Sequence, residues 1–346
     1  MPASPQQTDP LPPRIVGGMF GLELGGGGGE LPPFLRGPQR RLATARGALT
    51  CLVRTLQPRA VWLPSYLCPV VVPCCGGRER YFPIDGHLAV ENHDWLPAVE
   101  KGDLVVFVDY FGFRAWDETA AQVRARGGWV VEDASQAALN REFSPQADYV
   151  ITSPRKFAGV PDGSTLLALR GPLPEMDLPA APAGWWFDAF RASALRRAFD
   201  LGSAERSWFD LFRRTEADGP VEPVRMSELA ETLLLHGVDW AAHAAQRRAN
   251  FLLLARELAD LALFTTLPEH VVPLGFPVRL SPREPVRQAL FAENIFPPIH
   301  WSLAPVVPAA FAASHRLSQE ILTLPIDQRC STSDLERMVR CIRSAR

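Results

Sequence analysis

Short apolar segments that alternate with helical segments are the feature of this sequence that most restricts its fold. The apolar segments are AVWLP (60–64), DLVVFVDY (103–110), GWVVED (128–133), ADYVITS (147–153) and GSTLLAL (163–169). Such uninterrupted apolar runs suit strands of a parallel sheet that is covered on both faces. A helix over 117–127, with Asp117 as its expected N-cap, separates two of them. The pattern predicts a mostly parallel, doubly wound α/β domain with right-handed crossovers.

The segments around this pattern predict further helices and a second, smaller lobe. A loop enters a helix within PQRRLATARGALTCLVRTL, and residues 66–75 are expected to hold another helix despite their prolines. Residues 171–224, rich in Pro, Trp and Arg, indicate a lid or linker with short helices. A long amphipathic helical stretch is expected from Met226 to Leu263, with Arg247 and Arg248 on its solvated face.

The C-terminal part predicts a small α/β lobe. It begins with a strand in GFPVRLS (275–281) and closes with EILTLPID (320–327) and a final helix. Ser333 and Glu336 have the Ser-x-x-Glu spacing of a capping box for that helix.

Charge and hydropathy exclude several classes of protein. The net charge is −2 and the charged fraction is 21%, which gives no electrostatic basis for binding nucleic acid or an anionic membrane. No apolar run approaches the roughly 18 residues that a transmembrane helix needs. The N-terminus lacks a basic region followed by an apolar one, so no secretory signal is expected, and residues 1–13 are expected to form a loose tail.

The six cysteines show neither Cys-x-x-Cys nor the spacing of a zinc site, so no metal is expected. Adjacent Cys74 and Cys75 are expected to pack as small apolar side chains. A reduced, cytoplasmic protein is the simplest interpretation. The run from Gly25 to Gly29 predicts a surface loop; a phosphate loop is the alternative, but no Gly-Lys-Ser/Thr follows.

Asp133 and Lys156 stand where two neighbouring strands end. Ligands of parallel α/β sheets bind beyond the carboxyl ends of the strands, so both side chains are expected at one rim. The chain has only two lysines, Lys101 and Lys156, against 34 arginines. A lysine amine can lose its proton and attack a carbonyl to form a Schiff base, which a guanidinium does not do. Asp133 could hold a pyridinium nitrogen, as in enzymes of pyridoxal 5′-phosphate (PLP).

An anion site is also indicated at this rim. Ser153 lies three residues before Lys156 and could offer its hydroxyl to a phosphate. The N-terminus of the helix that begins near Arg46, Gly47 and Ala48 is a second candidate for the same anion.

These residues resemble a known family, the DegT/DnrJ sugar aminotransferases, here in a divergent form. The resemblance runs in order from about residue 17 to the end. The segments that carry it are GGMFGLEL (17–24), TARGAL (44–49), WLPSYLC (62–68), VDYFG (108–112), VEDASQA (131–137), SPRKFAGVPDGS (153–164), VRMSEL (224–229) and PIHW (298–301). The Asp-x-x-Gln and Ser-x-x-Lys segments are specific only in combination.

The resemblance implies fold type I of the PLP-dependent transferases, like that of aspartate aminotransferase. It implies a tail and Gly-rich loop over 1–37, a large PLP-binding domain with the lid segment over 38–224, and a long helix with a small C-terminal α/β domain over 225–346.

The resemblance also assigns roles to matching positions. Lys156 would bind the cofactor covalently and move the proton, and Asp133 would pair with the pyridinium nitrogen. Gln136 would reach the side of the phenolic oxygen. Ser153 and the backbone of Gly47 and Ala48 would bind the phosphate. The remaining candidates are Cys68 or Tyr66 at the cofactor ring and, toward the substrate, His300 and Arg46.

The implied activity moves an amino group from an amino acid, glutamate by expectation, to the keto group of a nucleotide-linked sugar. A homodimer with shared active sites is implied, with neither nucleic acid nor membrane as a partner. Two departures bear on the substrate and the cofactor contacts. Cys68 replaces the ring-stacking aromatic residue, and Pro223 replaces the asparagine of Asn-x-Arg-Met, whose side chain reaches the neighbouring subunit's phosphate.

Alternatives remain for both the residues and the function. Lys156 could be a surface lysine, Asp133 could cap a following helix, His300 could be a packed side chain, and Trp185 and Trp186 could line a lid or lie in the core. Rival functions are a PLP enzyme with another acceptor, a dehydratase, and a non-catalytic or regulatory protein. Lys156 disfavours the dehydratase, because the dehydratase branch of the family carries histidine at this position. A nicotinamide enzyme is disfavoured because no Gly-x-Gly-x-x-Gly follows an early strand.

Overall fold

The computed structural model describes residues 14–27, 29–304 and 306–346. The tail expected over 1–13 lies outside these residues, as does Gly28 of the glycine run. Within these described ranges, eleven strands form the sheets. They are β1 (Val16–Gly17), β2 (Gln39–Leu42), β3 (Val61–Pro64), β4 (Glu79–Phe82), β5 (Leu104–Val108), β6 (Trp129–Ala134), β7 (Tyr149–Thr152), β8 (Ser164–Ala168), β9 (Phe276–Arg279), β10 (Ile295–Phe296) and β11 (Ile321–Leu324).

Seven of these strands form one large sheet in the order β2-β8-β7-β6-β5-β3-β4. The five strands from β7 to β4 are parallel to their neighbours, and β8 is antiparallel to both β7 and β2. Every residue of β5 and β7 is buried, in agreement with the apolar runs of these strands. Asp133 pairs in register with Val108 of β5 and Ile151 of β7, so it stands at the carboxyl end of the sheet's centre.

Nine α-helices of the described residues surround the sheets. They are α1 (Ala45–Leu56), α2 (Asp117–Ala125), α3 (Ala183–Asp200), α4 (Trp208–Ala217), α5 (Glu228–His236), α6 (Trp240–Glu257), α7 (Glu284–Ala292), α8 (Ala312–Glu320) and α9 (Thr332–Ser344). Short 3-10 helices add Pro33–Leu35, Pro69–Cys75, Leu96–Ala98 and Pro154–Lys156. No helix among the described residues is long and apolar enough to cross a membrane.

Two expectations about secondary structure near the first helix were wrong. Strand β2 was missed, because its sequence Gln-Arg-Arg-Leu has no apolar run; as an edge strand it is only partly buried. Residues 69–75 form a 3-10 helix and not an α-helix. Pro69 begins it and Pro73 lies inside it, and a proline has no N–H for the α-helical ladder.

The middle of the chain is more helical than expected, and one long helix is divided. The segment 171–224 holds α3 with 18 residues and α4 with 10, instead of short helices. The stretch from Met226 to Leu263 is broken between α5 and α6, where Gly237 ends α5 and Asp239 accepts a hydrogen bond from the Ala242 N–H at 2.9 Å. Arg247 is 1% exposed, so its assignment to a solvated face was wrong.

Two helix caps also differ from the expected ones. Trp116 occupies the N-cap position of α2, and Asp117 is the first helical residue. The capping box of α9 is formed by Ser331 and Asp334, two residues before the predicted pair Ser333 and Glu336. Both pairs have the same three-residue spacing, so the motif alone did not fix the register.

The C-terminal part contains an antiparallel pair, β9 with β11, and the helices α7 and α9, which pack against each other. Strand β1, near the N-terminus, pairs in parallel with β10. The N-terminal segment therefore joins the C-terminal lobe before the chain enters the large sheet at β2. The domain boundaries at residues 37 and 224 stay a prediction.

A buried carboxyl group connects the loop before β8 to the start of α5. Asp162 is fully buried and accepts hydrogen bonds from the Ser227 hydroxyl at 3.0 Å and the Ser227 N–H at 3.2 Å. Burial raises the pKa of Asp162 to about 6, although the hydrogen bonds from Ser227 act in the opposite direction.

We predict that Asp162 makes stability fall as pH rises. A carboxyl group with a higher pKa in the folded state binds more protons there, so its contribution is lost between about pH 4 and about pH 6. Urea unfolding of the protein and of Asp162→Asn across this range measures the effect. The free energy of unfolding of the unmodified protein should decrease relative to that of the variant as pH rises; a constant difference would contradict the assignment.

Candidate active site

A cavity of about 390 Å³ opens at the carboxyl edge of the large sheet. Residues that follow β3, β6 and β7 line it, together with the start of α1 and the end of α4. We call it the first cavity. A second cavity of about 340 Å³ shares Arg155, Lys156 and Glu216 with the first. Lys156 therefore stands in the wall between the two cavities.

Asp133 lines the first cavity from the end of β6. Its Oδ1 accepts a hydrogen bond from the Ser135 N–H at 3.0 Å, and its backbone carbonyl accepts one from the Asp109 N–H at 3.1 Å. Turns occupy residues 135–139, so Asp133 does not cap a following α-helix. Because β6 lies at the centre of the parallel sheet, the Asp133 carboxylate at its end faces the cavity.

Gln136 and Ser153 lie in the same wall. The Gln136 Oε1 accepts a hydrogen bond from the Phe111 N–H at 2.8 Å, while its buried Nε2 has no partner within the described residues. Ser153, 3% exposed, follows β7 and precedes the 3-10 turn that contains Lys156. A buried amide donor without a partner is costly, which makes Nε2 a donor available to a ligand in this cavity.

Lys156 is fixed by its backbone and not by a charged partner. Its N–H donates to the Ser153 carbonyl at 3.0 Å within the turn Pro154–Lys156. The other carboxylate of this cavity besides Asp133, that of Glu216, is bound by Arg155. No ion pair of the Lys156 amine occurs in the part of the chain that the structure describes.

Three cations and two carboxylates surround the first cavity. The Arg155 Nη2 donates to the Glu216 Oε2 at 3.0 Å, and the Arg46 Nη2 donates to the Glu216 backbone carbonyl at 3.1 Å. Burial, followed by the charge of Arg155, lowers the pKa of Arg46. Burial opposes ionisation of Glu216, but the charge of Arg155 prevails and lowers the pKa of Glu216. With Lys156 and Asp133 included, the cations exceed the carboxylates by one, which favours an anionic ligand.

The start of α1 faces the first cavity through Thr44, Ala45 and Arg46. The Gly47 N–H donates to the Thr44 hydroxyl at 3.0 Å, and the Ala48 N–H donates to the Thr44 carbonyl at 3.1 Å. The two backbone groups expected to bind phosphate thus already have partners. A Cβ at position 47 would lie 2.9 Å from the Glu222 carbonyl, so glycine allows the 222–223 segment to pass close to the helix.

The structure separates the two candidates for the cofactor ring. Cys68 lines the first cavity, whereas Tyr66 is fully buried and donates its hydroxyl hydrogen bond to the His300 carbonyl. The Tyr66 ring packs against Trp301, with centroids 5.7 Å apart. Trp301 supplies an aromatic side chain to the cavity wall, whereas the candidates expected from the sequence were Tyr66 and Cys68.

His300 lies in the wall of the second cavity and not of the first. Its Nδ1 is 2.8 Å from the Thr323 hydroxyl oxygen. Burial, with the charge of Lys156 as a smaller cause, lowers the pKa of His300 to about 3. The imidazole is therefore neutral at physiological pH, where it can share a hydrogen bond but adds no charge.

Sequence reasoning missed three residues of the site: Arg155, Glu216 and Trp301. Arg155 stands directly before Lys156 in the sequence, and this neighbouring position could have indicated it. Glu216 is 60 residues beyond Lys156 in an Arg-rich helical segment, and no local motif distinguishes it. Trp185, considered for a lid, donates its indole N–H to the Thr215 carbonyl at 3.0 Å and joins α3 to α4 beside the site.

Comparisons with known proteins identify the fold. No family model matches the chain, and no curated protein sequence matches it. Solved structures do match. A DegT DnrJ EryC1 StrS aminotransferase from Brucella abortus is 17% identical, with a TM-score of 0.62 over 89% of this chain and 86% of that one.

Two further solved structures agree. The sugar aminotransferase CalS13 from Micromonospora echinospora is 15% identical, with a TM-score of 0.59 over 89% of this chain and 87% of that one. The PLP form of Spr1654 from Streptococcus pneumoniae is 13% identical, with a TM-score of 0.64 over 89% and 86%. The chain therefore has the fold of these aminotransferases, fold type I of the PLP-dependent enzymes, and the predicted fold class is confirmed.

We predict that Glu216→Gln strengthens binding of an anion in the first cavity. The change removes a carboxylate beside Arg46 and Arg155, which leaves Asp133 as the only carboxylate facing the three cations there among the described residues. Inorganic phosphate should then raise the melting temperature of the variant more than that of the unmodified protein, with affinity increased about twofold or more.

The matched control is Glu222→Gln, which opens an exposed ion pair with Arg54 away from the cavity wall. Melting curves in phosphate and in chloride of equal ionic strength separate binding from screening. An equal phosphate effect in Glu216→Gln and in the unmodified protein would show that this cavity does not attract the anion.

Proposed function

We propose that the protein is a PLP-dependent aminotransferase with Lys156 as the residue that binds the cofactor covalently. The observation that carries the proposal is a lysine amine that has no ion-pair partner among the described residues and lies at the wall of a cavity. The same cavity contains Asp133 and the Gln136 Nε2, which likewise lacks a partner in that part of the chain. A compact set of this kind, at the carboxyl edge of a parallel sheet, is where ligands bind in this class of fold.

The residues of the first cavity fit PLP in chemical type. Asp133 would hold the pyridinium nitrogen, and the Gln136 Nε2 would donate to the phenolic oxygen. Ser153 and the Thr44–Arg46 turn would hold the phosphate, assisted by the cationic surplus that Arg46 and Arg155 create. The volume of about 390 Å³ lies within the range of small-molecule sites. When bound, PLP supplies an electron sink for the carbon next to the amino group.

The chain's own residues supply binding, orientation and proton transfer. Lys156 lies in the wall of the cavity, where its amine can take a proton at one carbon and return it at another. The Asp133 carboxylate accepts a hydrogen bond from the Ser135 N–H, which orients it in the wall of the cavity. Trp301 and Val108 add apolar surface that limits access of water.

The proposed reaction moves an amino group from glutamate to a keto group of a nucleotide-linked sugar. The support is the match with CalS13, a sugar aminotransferase, along 89% of the chain. We also propose a homodimer with shared sites and a cytoplasmic location. The six free cysteines agree with a reducing compartment. Pro223 lies beside α1, where its ring offers no side-chain donor to a phosphate.

We predict that the protein becomes yellow with PLP and that borohydride fixes the cofactor on Lys156. Because the chain has only two lysines, Lys101→Arg is a matched control for Lys156→Arg. The Lys101 variant should retain the colour and the labelled peptide, since Lys101 lies exposed in a turn. The Lys156 variant should lose both, because a guanidinium does not form the bond.

Absorbance spectra and peptide mass spectrometry after reduction measure this outcome. A colourless unmodified protein would favour the non-catalytic alternative. Label on Lys101, or colour that persists in Lys156→Arg, would contradict the assigned lysine. Keto sugars and keto acids offered with glutamate as donor then test the acceptor.

We predict that Asp133→Asn keeps the colour but slows reaction with glutamate by about 100-fold or more. An asparagine of equal size cannot hold a proton on the pyridine nitrogen by charge, and loss of one such electrostatic contact costs about this much. Single-turnover absorbance changes give the rate. Asp94→Asn, at an exposed loop position, is the control; a rate within about threefold of the unmodified protein for Asp133→Asn would contradict the role.

A further inference from the structure

The second cavity lies on the other side of Lys156 from the first. Its walls come from several parts of the chain. They are the N-terminal segment 17–20, the segment 155–161 that contains Lys156, the helices α3, α4 and α6, and the C-terminal segments around Leu274, His300 and Asp327. Neither Asp133, Gln136 nor Ser153 lines it. The cavity therefore shares the reactive amine with the first cavity and lacks the residues that fit the cofactor.

Arg247 is the most unusual residue of this cavity. It is 1% exposed and lies in α6. Its Nη1 donates to the Leu274 carbonyl at 3.0 Å, and its Nη2 donates to the Phe157 carbonyl at 3.5 Å. Its Nε is buried and has no hydrogen-bond partner within the described residues. The guanidinium lies over the Phe157 ring at 4.7 Å, and Phe20 lies on it at 5.9 Å.

Among the described residues, no carboxylate forms an ion pair with Arg247 at the second cavity. Arg155 binds Glu216, and Arg329 binds Asp327 through its Nε at 2.9 Å and its Nη2 at 3.0 Å. Asp327 acts on Arg247 only as a nearby negative charge. Burial lowers the pKa of Arg247 to about 10, with Asp327 opposing this change, so the side chain stays charged at neutral pH.

Two cations thus face the second cavity without an ion-pair partner among the described residues: Lys156 and Arg247. A buried charge that is neither paired nor fully hydrogen-bonded is costly, and an incoming anion removes that cost. A guanidinium suits a carboxylate because several of its N–H groups point in one plane. The remaining wall near Arg247 is largely apolar, with Met19, Phe20 and Leu274.

We propose that Arg247 binds the carboxylate of the amino acid or keto acid substrate in the second cavity. The proposal rests on the proposed aminotransferase function and adds the residue that selects its acid substrate. A carboxylate on Arg247 directs the adjacent amino or keto carbon toward Lys156, which stands in the same cavity. Arg247 is a specificity-determining residue, and the substrate class it selects is an acid with its carboxylate next to the reacting carbon.

A purely structural role for Arg247 predicts something different. In that case its guanidinium would only hold the Leu274 and Phe157 carbonyls together. Substitution would then lower stability without changing which charge state of a ligand binds. The selectivity between charged and neutral ligands of one shape is the readout that separates the two roles.

The test uses 2-oxoglutarate, which does not turn over with the PLP form of an aminotransferase, as the binding probe. Isothermal titration calorimetry of the PLP-saturated protein should show affinity weakened about tenfold or more in Arg247→Gln. Arg248→Gln is the matched control, because the neighbouring Arg248 contacts the Pro268 carbonyl at 2.7 Å and lines neither cavity. Its affinity should stay within about twofold of the unmodified value, and equal affinity in Arg247→Gln would overturn the proposal.

Two methyl esters of the probe test the proposal on the unmodified protein, so it does not depend on the folding of Arg247→Gln. The 5-methyl ester retains the carboxylate next to the keto group and should bind like 2-oxoglutarate. The 1-methyl ester lacks it and should bind about tenfold more weakly. Equal binding of the two esters would overturn the role of Arg247.

The same samples distinguish this failure from failure of the proposed function. A yellow protein with borohydride-fixed Lys156 and no ester selectivity retains the aminotransferase proposal and loses the assignment of Arg247. A colourless protein whose binding of 2-oxoglutarate still depends on Arg247 retains the anion site and loses the enzyme.

Discussion

The parallel pairing of β6 with β5 and β7 is the constraint on which the site depends. It brings the carboxyl ends of these strands to one edge, where Asp133 closes β6 and Ser153 follows β7. The turn Pro154–Lys156 then places the Lys156 amine at the same edge, where it has no ion-pair partner among the described residues. A change in the register of one strand would move Asp133 by one residue and direct its side chain to the opposite face of the sheet.

Ion pairs take up part of the charge around the two cavities. The pairs Arg155–Glu216 and Arg329–Asp327 neutralise four of the charged groups around Lys156. What remains is a cation surplus near Arg46 in the first cavity and the buried Arg247 in the second. Under the two proposals above, the first cavity accepts a phosphate and the second a carboxylate.

The sequence predicted those parts of the fold and site that depend on local patterns. Apolar runs predicted β3 and β5 to β8, and strand ends predicted Asp133 and Lys156 at one rim. Parts that depend on distant contacts were not predictable in this way. Glu216 reaches the site because α3 packs against α4, and β2 is a strand because β8 accepts it at the sheet edge. Arg247 looked like a surface residue because burial of a charged side chain leaves no local signal.

A crystal structure of the protein with PLP tests most directly whether Lys156 binds the cofactor in the first cavity. We expect continuous density from the Lys156 amine to the cofactor in the first cavity. The ring nitrogen should lie at Asp133, and the phosphate should lie between Ser153 and the start of α1 at Thr44–Arg46. The second cavity should remain open beside Arg247. PLP bound elsewhere, or a first cavity that excludes it in the protein saturated with PLP, would contradict the account.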